Sequence, residues 1–238
     1  DANWLIGRQV EALATDIADS VLKESKLRGY ISDYKKENAE KMSFGDNKFD
    51  YVLCKEAYHH FPRPYLALYE MIRVSSKAVI LIEPLDVGIQ VPYLIWLKNI
   101  LDRINVNLIN KLWKNRYSFE EVGNYVYKIS EREMEKVAAG INLPAIAFKR
   151  LNDYYSAALD LSAPLQEKKV FRKVRFRIYL RNILSITGLI PPKLLICIIF
   201  KTKPATGVIS DLRKKGYKYI NLPDNPYLKN PIYADHII

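Results

Sequence analysis

The stretch from Asn38 to Glu83 limits most strongly what this chain can fold into. It reads NAEKMSFGDNKFDYVLCKEAYHHFPRPYLALYEMIRVSSKAVILIE. A polar loop leads into FDYVLC, a short apolar run with strand character, and then into KEAYHHF. Pro64 to Arg73 has helical spacing, with proline at the tolerated first position. AVILIE follows as a second apolar strand, closed by Pro84. Two such strands joined by a helix of this length form a crossover unit, and crossover units build parallel sheets.

The same residues resemble the middle of a class I S-adenosylmethionine-dependent methyltransferase of the type 11 kind. In that family a D-A-E-x-L-P-F-x-D-x-x-F-D segment enters the fourth strand. An H-H turn, a helix with E-x-x-R-V and the fifth strand come next. The counterparts here are Asn38-Ala39-Glu40, Met42-Ser43-Phe44, Asp46, Phe49-Asp50, His59-His60, Glu70 and Arg73-Val74. The resemblance implies a Rossmann-like α/β fold: a mostly parallel sheet with an antiparallel last strand and helices on both faces. It also implies S-adenosylmethionine as cofactor and methyl transfer as the reaction.

Upstream, Val10 to Thr15 reads as a strand ending at Asp16. In a Rossmann-type sheet the acid closing the second strand binds ribose hydroxyls, about 20 residues after a glycine-rich turn. That spacing puts the turn at or just before Asp1. The chain is therefore read as starting inside the first glycine loop, with the first strand missing. Such a chain is expected to bind the cofactor weakly or not at all.

Tyr30 to Tyr34 reads as a third strand, and Leu85 to Tyr117 as an apolar, aromatic, irregular insertion. Ser118-x-x-Glu121 and Ser130-x-x-Glu133 both fit a helix capping box. Ala145 to Arg150 and Leu194 to Lys201 read as late strands, Asp211 to Lys215 as a short helix, and Asn221 to Pro231 as a proline- and asparagine-rich tail. The expected organisation is a core over residues 1–150 with an insertion at 85–130, a basic cap at 151–193, and a last strand with tail at 194–238.

The resemblance assigns roles by position. Asp16 and Ile17 fall at the ribose, although Asp16 equally suits a helix N-cap. Asn38 and Ala39 fall at the adenine end, or form a plain turn. Cys54 and Lys55 follow the fourth strand, where their backbone would flank the methionine part of the cofactor. An oxygen acceptor needs a base, and imidazole titrates near neutrality. His59 is the candidate base, while His60 is expected to pack beneath the helix. Glu83 and Asp86, after the fifth strand, are further candidates to reach the acceptor. Glu70 and Arg73 read as a helix-surface ion pair.

Composition narrows the partners. Net charge is +11, and Lys168 to Arg181 carries seven basic residues and no acid. Its alternation fits a strand as well as a helix. An anionic acceptor or peripheral contact with an anionic membrane fits this charge, and nothing resembles a dedicated nucleic-acid motif. Two distant cysteines and three histidines, with no Cys-x-x-Cys, give no reason to expect a metal. No apolar run reaches the length of a membrane span, and a cytoplasmic location is expected. The reading favoured is O-methylation of a sugar, glycan or lipid-linked acceptor. A nicotinamide-dependent reductase and a non-catalytic module binding polyanion or membrane are the alternatives.

Overall fold

The structure is a computed structural model. It describes residues 2–86, 92–104, 107, 117–121, 123–153 and 168–226. In chain order the elements are α1 (Ala2–Ile6), β1 (Leu13–Asp16), α2 (Asp19–Leu27), β2 (Asp33–Lys36), β3 (Phe49–Lys55), a 3₁₀ turn (Tyr58–His60), α3 (Pro64–Val74) and β4 (Ser75–Pro84). Then come α4 (Pro92–Ile104), α5 (Glu131–Gly140), β5 (Ala145–Leu151), α6 (Lys168–Ile186), β6 (Leu194–Phe200), α7 (Thr206–Lys214) and β7 (Lys218–Asn221).

Five strands form one sheet in the order β3-β4-β6-β5-β7, and β1 and β2 form a separate parallel pair. The unit β3-α3-β4 is the expected parallel crossover, in register from Tyr51↔Ala78 to Lys55↔Ile82. β6 runs antiparallel between β4 and β5, from Ala78↔Phe200 to Pro84↔Leu194 on one side. The expectation of a mostly parallel sheet therefore holds for strand direction in β3, β4 and β5, but not for the ladders. Inserting β6 makes both of its ladders antiparallel, and β7 adds a third on β5. Among the described residues, the outer edge of β3 carries no strand, and β1 pairs only with β2.

β6 (LLICIIF) explains why the sheet sits at the centre. Leu195, Cys197 and Ile199 enter a core with α3 and α5 on one face, while Ile196, Ile198 and Phe200 enter a second core with Ala145, Ala147 and Leu212 on the other. A strand covered on both faces has no polar side to show, so its sequence is continuously apolar. α5 starts where the second capping box placed it, with the Ser130 hydroxyl accepting the Glu133 N–H at 3.2 Å.

Several expectations are corrected. Residues 92–104 of the supposedly irregular insertion are a helix, because Pro92 sits at its start, where its missing N–H costs nothing. Ser118-x-x-Glu121 caps no helix. It lies in a tight hairpin-like loop bridged at Phe119↔Tyr125. The basic stretch is the helix α6. The supposed tail begins with the end of β7, and its continuation from residue 227 lies outside the described residues, as do 105–106, 108–116 and 154–167. No helix of the described residues is long and apolar enough to cross a membrane.

Candidate active site

β3, β4 and β5 run in one direction, so Lys55, Pro84 and Leu151 end at one edge of the sheet. The backbone is stitched together there. Leu85 N–H donates to Lys193 O at 2.8 Å, Asp86 N–H to Ile129 O at 2.9 Å, and Lys193 N–H to Leu151 O at 3.2 Å. In open α/β sheets this edge is where ligands bind.

At the end of β3 the chain turns sharply. Glu56 takes φ +49°, a left-handed conformation uncommon for a side-chain-bearing residue, and donates its N–H to Ile82 O at 2.9 Å. The 3₁₀ turn that follows separates Tyr58 from the two histidines, whose ring centroids lie 3.9 Å apart. Tyr58 points inward and is buried. His59 points at Glu83. His60 points outward, half-exposed, and pairs with Glu120. The expectation that His60 packs beneath the helix is thus overturned: the turn gives that place to Tyr58.

Glu83 is fully buried at the end of β4. Its Oε1 accepts the Ala57 and Tyr58 N–H groups, each at 3.0 Å, and its Oε2 lies 2.6 Å from His59 Nδ1. An ionised Glu83 can only accept, so a neutral His59 beside it carries its proton on Nδ1 and leaves the lone pair on Nε2. Three hydrogen bonds answer the cost of burying the carboxyl group and fix the turn to the strand. Glu83 therefore faces the protein interior and not an acceptor. Cys54 Sγ lies 3.8 Å from the same carboxyl. Burial, then the neighbouring Glu83 charge, push this thiol up to about 12, so Cys54 is a packed thiol and not a nucleophile. Lys55 next to it is exposed.

The segment around residues 118–129 covers the turn. Tyr127 N–H donates to His59 O at 3.2 Å, and Asn124 Nδ2 to His60 O at 3.1 Å. Phe119, Tyr125 and Tyr127 stack edge to face, with ring centroids 5.5 and 4.9 Å apart. Burial and then the Asp86 carboxylate raise the Tyr125 hydroxyl. Sequence reasoning did not find this aromatic wall. Its signal was the alternation in N-Y-V-Y, hidden by a false capping box.

The other half of the predicted site gathers at the end of the β1-β2 pair. Asp16 aligns with Lys36, and Glu37 N–H donates to Asp16 O at 3.0 Å, so Asp16 and Ile17 stand beside Asn38 and Ala39. Asp16 Oδ1 accepts the Ala18 N–H at 2.8 Å, a turn into α2. The N-cap position itself belongs to Ala18. Asn38 Oδ1 accepts the Glu40 N–H at 2.9 Å, with a second lone pair remaining. The loop behind them is firmly held. Glu37 is buried and would be raised by that burial, but Lys35 at 2.7 Å and the Ser43 hydroxyl and N–H hold it down to about 2. Glu70 and Arg73 turn out to be more than a surface pair. Glu70 accepts the Met42 N–H at 2.6 Å, and Arg73 donates to Phe44 O, Met42 O and Asp46.

A carboxylate, an amide and a carboxylate-oriented imidazole at the ends of successive strands suit a nucleoside cofactor and a base-assisted transfer. Residues 2–82 match the family model described as a methyltransferase domain. No curated protein matches the chain. Among solved structures, a SAM-dependent methyltransferase from Archaeoglobus fulgidus is 11% identical, with 83% of this chain and 79% of that one covered and a TM-score of 0.48. One from Methanosarcina mazei is 14% identical, with 83% and 84% covered and a TM-score of 0.47. Magnesium protoporphyrin IX methyltransferase from Synechocystis PCC 6803, with SAH bound, is 11% identical, with 83% and 68% covered and a TM-score of 0.41. At those TM-scores the likeness says nothing about substrate. Residues 2–82, about a third of the chain, are the part that carries the match to the methyltransferase-domain family.

Proposed function

We propose that this chain is a methyltransferase acting on a hydroxyl of a sugar, glycan or lipid-linked acceptor, with His59 as the base. The observation that carries the reading is the 2.6 Å contact between His59 Nδ1 and the buried Glu83 at the end of β4. Bound S-adenosylmethionine supplies an electrophilic methyl group on a sulfonium. Asp16 holds the ribose diol through its carboxylate, and Asn38 receives the adenine amino group at its side-chain oxygen. Ile17, Ala39 and the backbone of Cys54 and Lys55 complete the cofactor contacts. His59 Nε2 would take the acceptor's hydroxyl proton as the acceptor oxygen gains the methyl group and the cofactor's sulfonium–carbon bond breaks to leave S-adenosylhomocysteine, and Glu83 would stabilise the imidazolium that results. Asp86 and the rings of Phe119, Tyr125 and Tyr127 offer a partly apolar aromatic wall with polar tips, suited to a ring-bearing acceptor. Positioning by these walls supplies much of the barrier lowering.

Calorimetric titration with S-adenosylmethionine tests the cofactor half. In the full-length protein, Asp16→Ala is expected to weaken binding by roughly 1–3 kcal/mol, the range for removing charge-assisted hydrogen bonds. An unchanged dissociation constant would confine Asp16 to its turn with Ala18. The acceptor half is tested by screening sugar and lipid-linked alcohols for methyl incorporation, and a protein that methylates only amines or thiols would end the hydroxyl reading.

A further inference from the structure

The helix α6 has two apolar faces. At about 100° per residue, Phe176, Tyr179, Leu180, Ile183 and Ile186 fall within roughly 120° of arc, and all five are exposed, Phe176 at 63% and Tyr179 at 62%. On the opposite side Val174, Ile178 and Ser185 are half-buried. There Asn152 Nδ2 reaches Asn182 Oδ1 and Ser185 Oγ, both at 3.0 Å, which fixes the inner face to the protein. Two opposed apolar faces cancel when averaged around a helix, which is why the sequence alone shows no amphipathic pattern. Arg172, Lys173 and Arg175 border the outer stripe and are exposed. No aspartate or glutamate occurs anywhere from Lys168 to Ser210.

A second helix repeats the pattern. In α4, Tyr93, Trp96, Leu97 and Ile104 lie along one stripe and are exposed, Trp96 at 67%. Both helices belong to the edge of the sheet that carries the site. The chain leaves for α4 after Asp86 and is back at Ile129. It leaves for α6 after Leu151 and returns at Lys193. These four residues and Leu85 are the ones stitched together there.

We propose that the outer faces of α6 and α4 form a landing surface for an anionic lipid bilayer, which holds the site edge toward the membrane. The partner is identified by its chemistry. An exposed apolar stripe needs an apolar phase to cover it, aromatic residues favour the headgroup boundary, and an acid-free basic border needs anionic headgroups. Nucleic acid would satisfy the charges and leave Phe176, Ile183 and Ile186 in water. Arginine and lysine stems can lie along the apolar layer while their heads stay among the headgroups. Neither helix crosses the bilayer; both lie in its surface. The surface is separable from methyl transfer and is read out separately.

Flotation with phosphatidylcholine vesicles, with and without phosphatidylglycerol, at low and high salt tests the proposal, with poly(U) binding measured in parallel. The protein should float with the anionic vesicles alone, and less at high salt. Replacing Arg172, Lys173 and Arg175 by Gln should lower partitioning about a hundredfold, at about fivefold for each basic residue near the surface. Phe176→Ser with Tyr179→Ser and Ile183→Ser should abolish flotation. These positions are exposed, so far-ultraviolet circular dichroism and S-adenosylmethionine titration should show both variants folded and binding cofactor as the parent does. In a protein with Trp4→Phe and Trp113→Phe, the emission of Trp96 should shift to the blue on anionic vesicles. Failure to float, equal flotation on neutral vesicles, or poly(U) binding indifferent to the apolar triple variant would each overturn the proposal. Lost cofactor binding in the parent with flotation intact would instead count against the catalytic reading alone.

Discussion

Two carboxylates do similar structural work in this molecule and end differently. Glu70 and Glu83 each accept a backbone N–H from a loop distant in sequence, Met42 for the first and Ala57 and Tyr58 for the second. Each therefore pins a strand-end loop to the scaffold. Glu70 completes its shell with the guanidinium of Arg73, at 2.7 and 2.9 Å. Arginine stays charged at any pH of interest, so that cluster is closed and can only hold. Glu83 completes its shell with an imidazole. Imidazole can exchange a proton through its second nitrogen, so this cluster can hold and also react. The difference separates a staple from a candidate catalytic centre, and it lies in the third partner and not in the acid.

The largest effect expected from breaking this contrast is at His59. His59→Ala should lower turnover by about 10²–10⁴-fold, the range for losing a general base, with cofactor affinity little changed. Full turnover in this variant would mean that the second cluster is as inert as the first. Glu83→Gln comes next. The carboxamide keeps the size and can still accept from Ala57 and Tyr58, but it can turn an N–H toward Nδ1 and drive the proton to Nε2. Turnover should fall by up to about 10⁴-fold, the scale of loss when an amide replaces the orienting carboxylate and imposes the wrong tautomer. The nitrogen-15 shifts of His59 should report the tautomer change. A turnover loss without that change would make Glu83 a fold residue only.

The contrast also marks what the sequence made legible. FDYVLC, the Pro64 helix and AVILIE announced themselves, because each carries its period within a few residues, and they are β3, α3 and β4. His59 could be singled out by its place after β3. Its partner could not be seen as a partner, because Glu83 is 24 residues away and its inward orientation is set by the β3–β4 register. Glu70 and Arg73 looked like a surface pair for the same reason: besides each other, their partners are on the 42–46 loop and not on their own helix. β7 was hidden because an edge strand of four residues, Lys218–Asn221, has too few positions to show alternation, and Leu-Pro follows it. α6 was ambiguous because its two apolar faces lie on opposite sides, so its apolar residues follow no single helical stripe.

The staple should fail differently. Arg73→Ala strands the Glu70 carboxylate without its counter-charge and frees the carbonyls of Met42 and Phe44. A loss of about 1–3 kcal/mol in stability is expected, the scale for leaving a partly buried acceptor unsatisfied, and denaturant unfolding measures it. Turnover at saturating cofactor should stay near that of the parent. A collapse in turnover on the scale of His59→Ala, with stability intact, would erase the distinction between the two clusters.

The smallest effect is an acid one. The Glu70 carboxyl is held below its ordinary value chiefly by the Arg73 hydrogen bonds, and Glu37, in the same loop system, is held down to about 2. A carboxyl depressed in the folded state contributes stability that is fully present above its unfolded value, near about 4.3 for glutamate. That contribution is lost as pH falls through the folded value. Residues 37–46 should therefore remain protected at neutral pH and open progressively between about pH 4.5 and 2. Amide hydrogen exchange stepped across that window, with intrinsic rates corrected for pH, follows the loop directly. Protection independent of pH down to 2 would show that backbone contacts hold the loop without the two carboxylates, and the cluster around Glu70 would then be an accessory to the fold and not its staple.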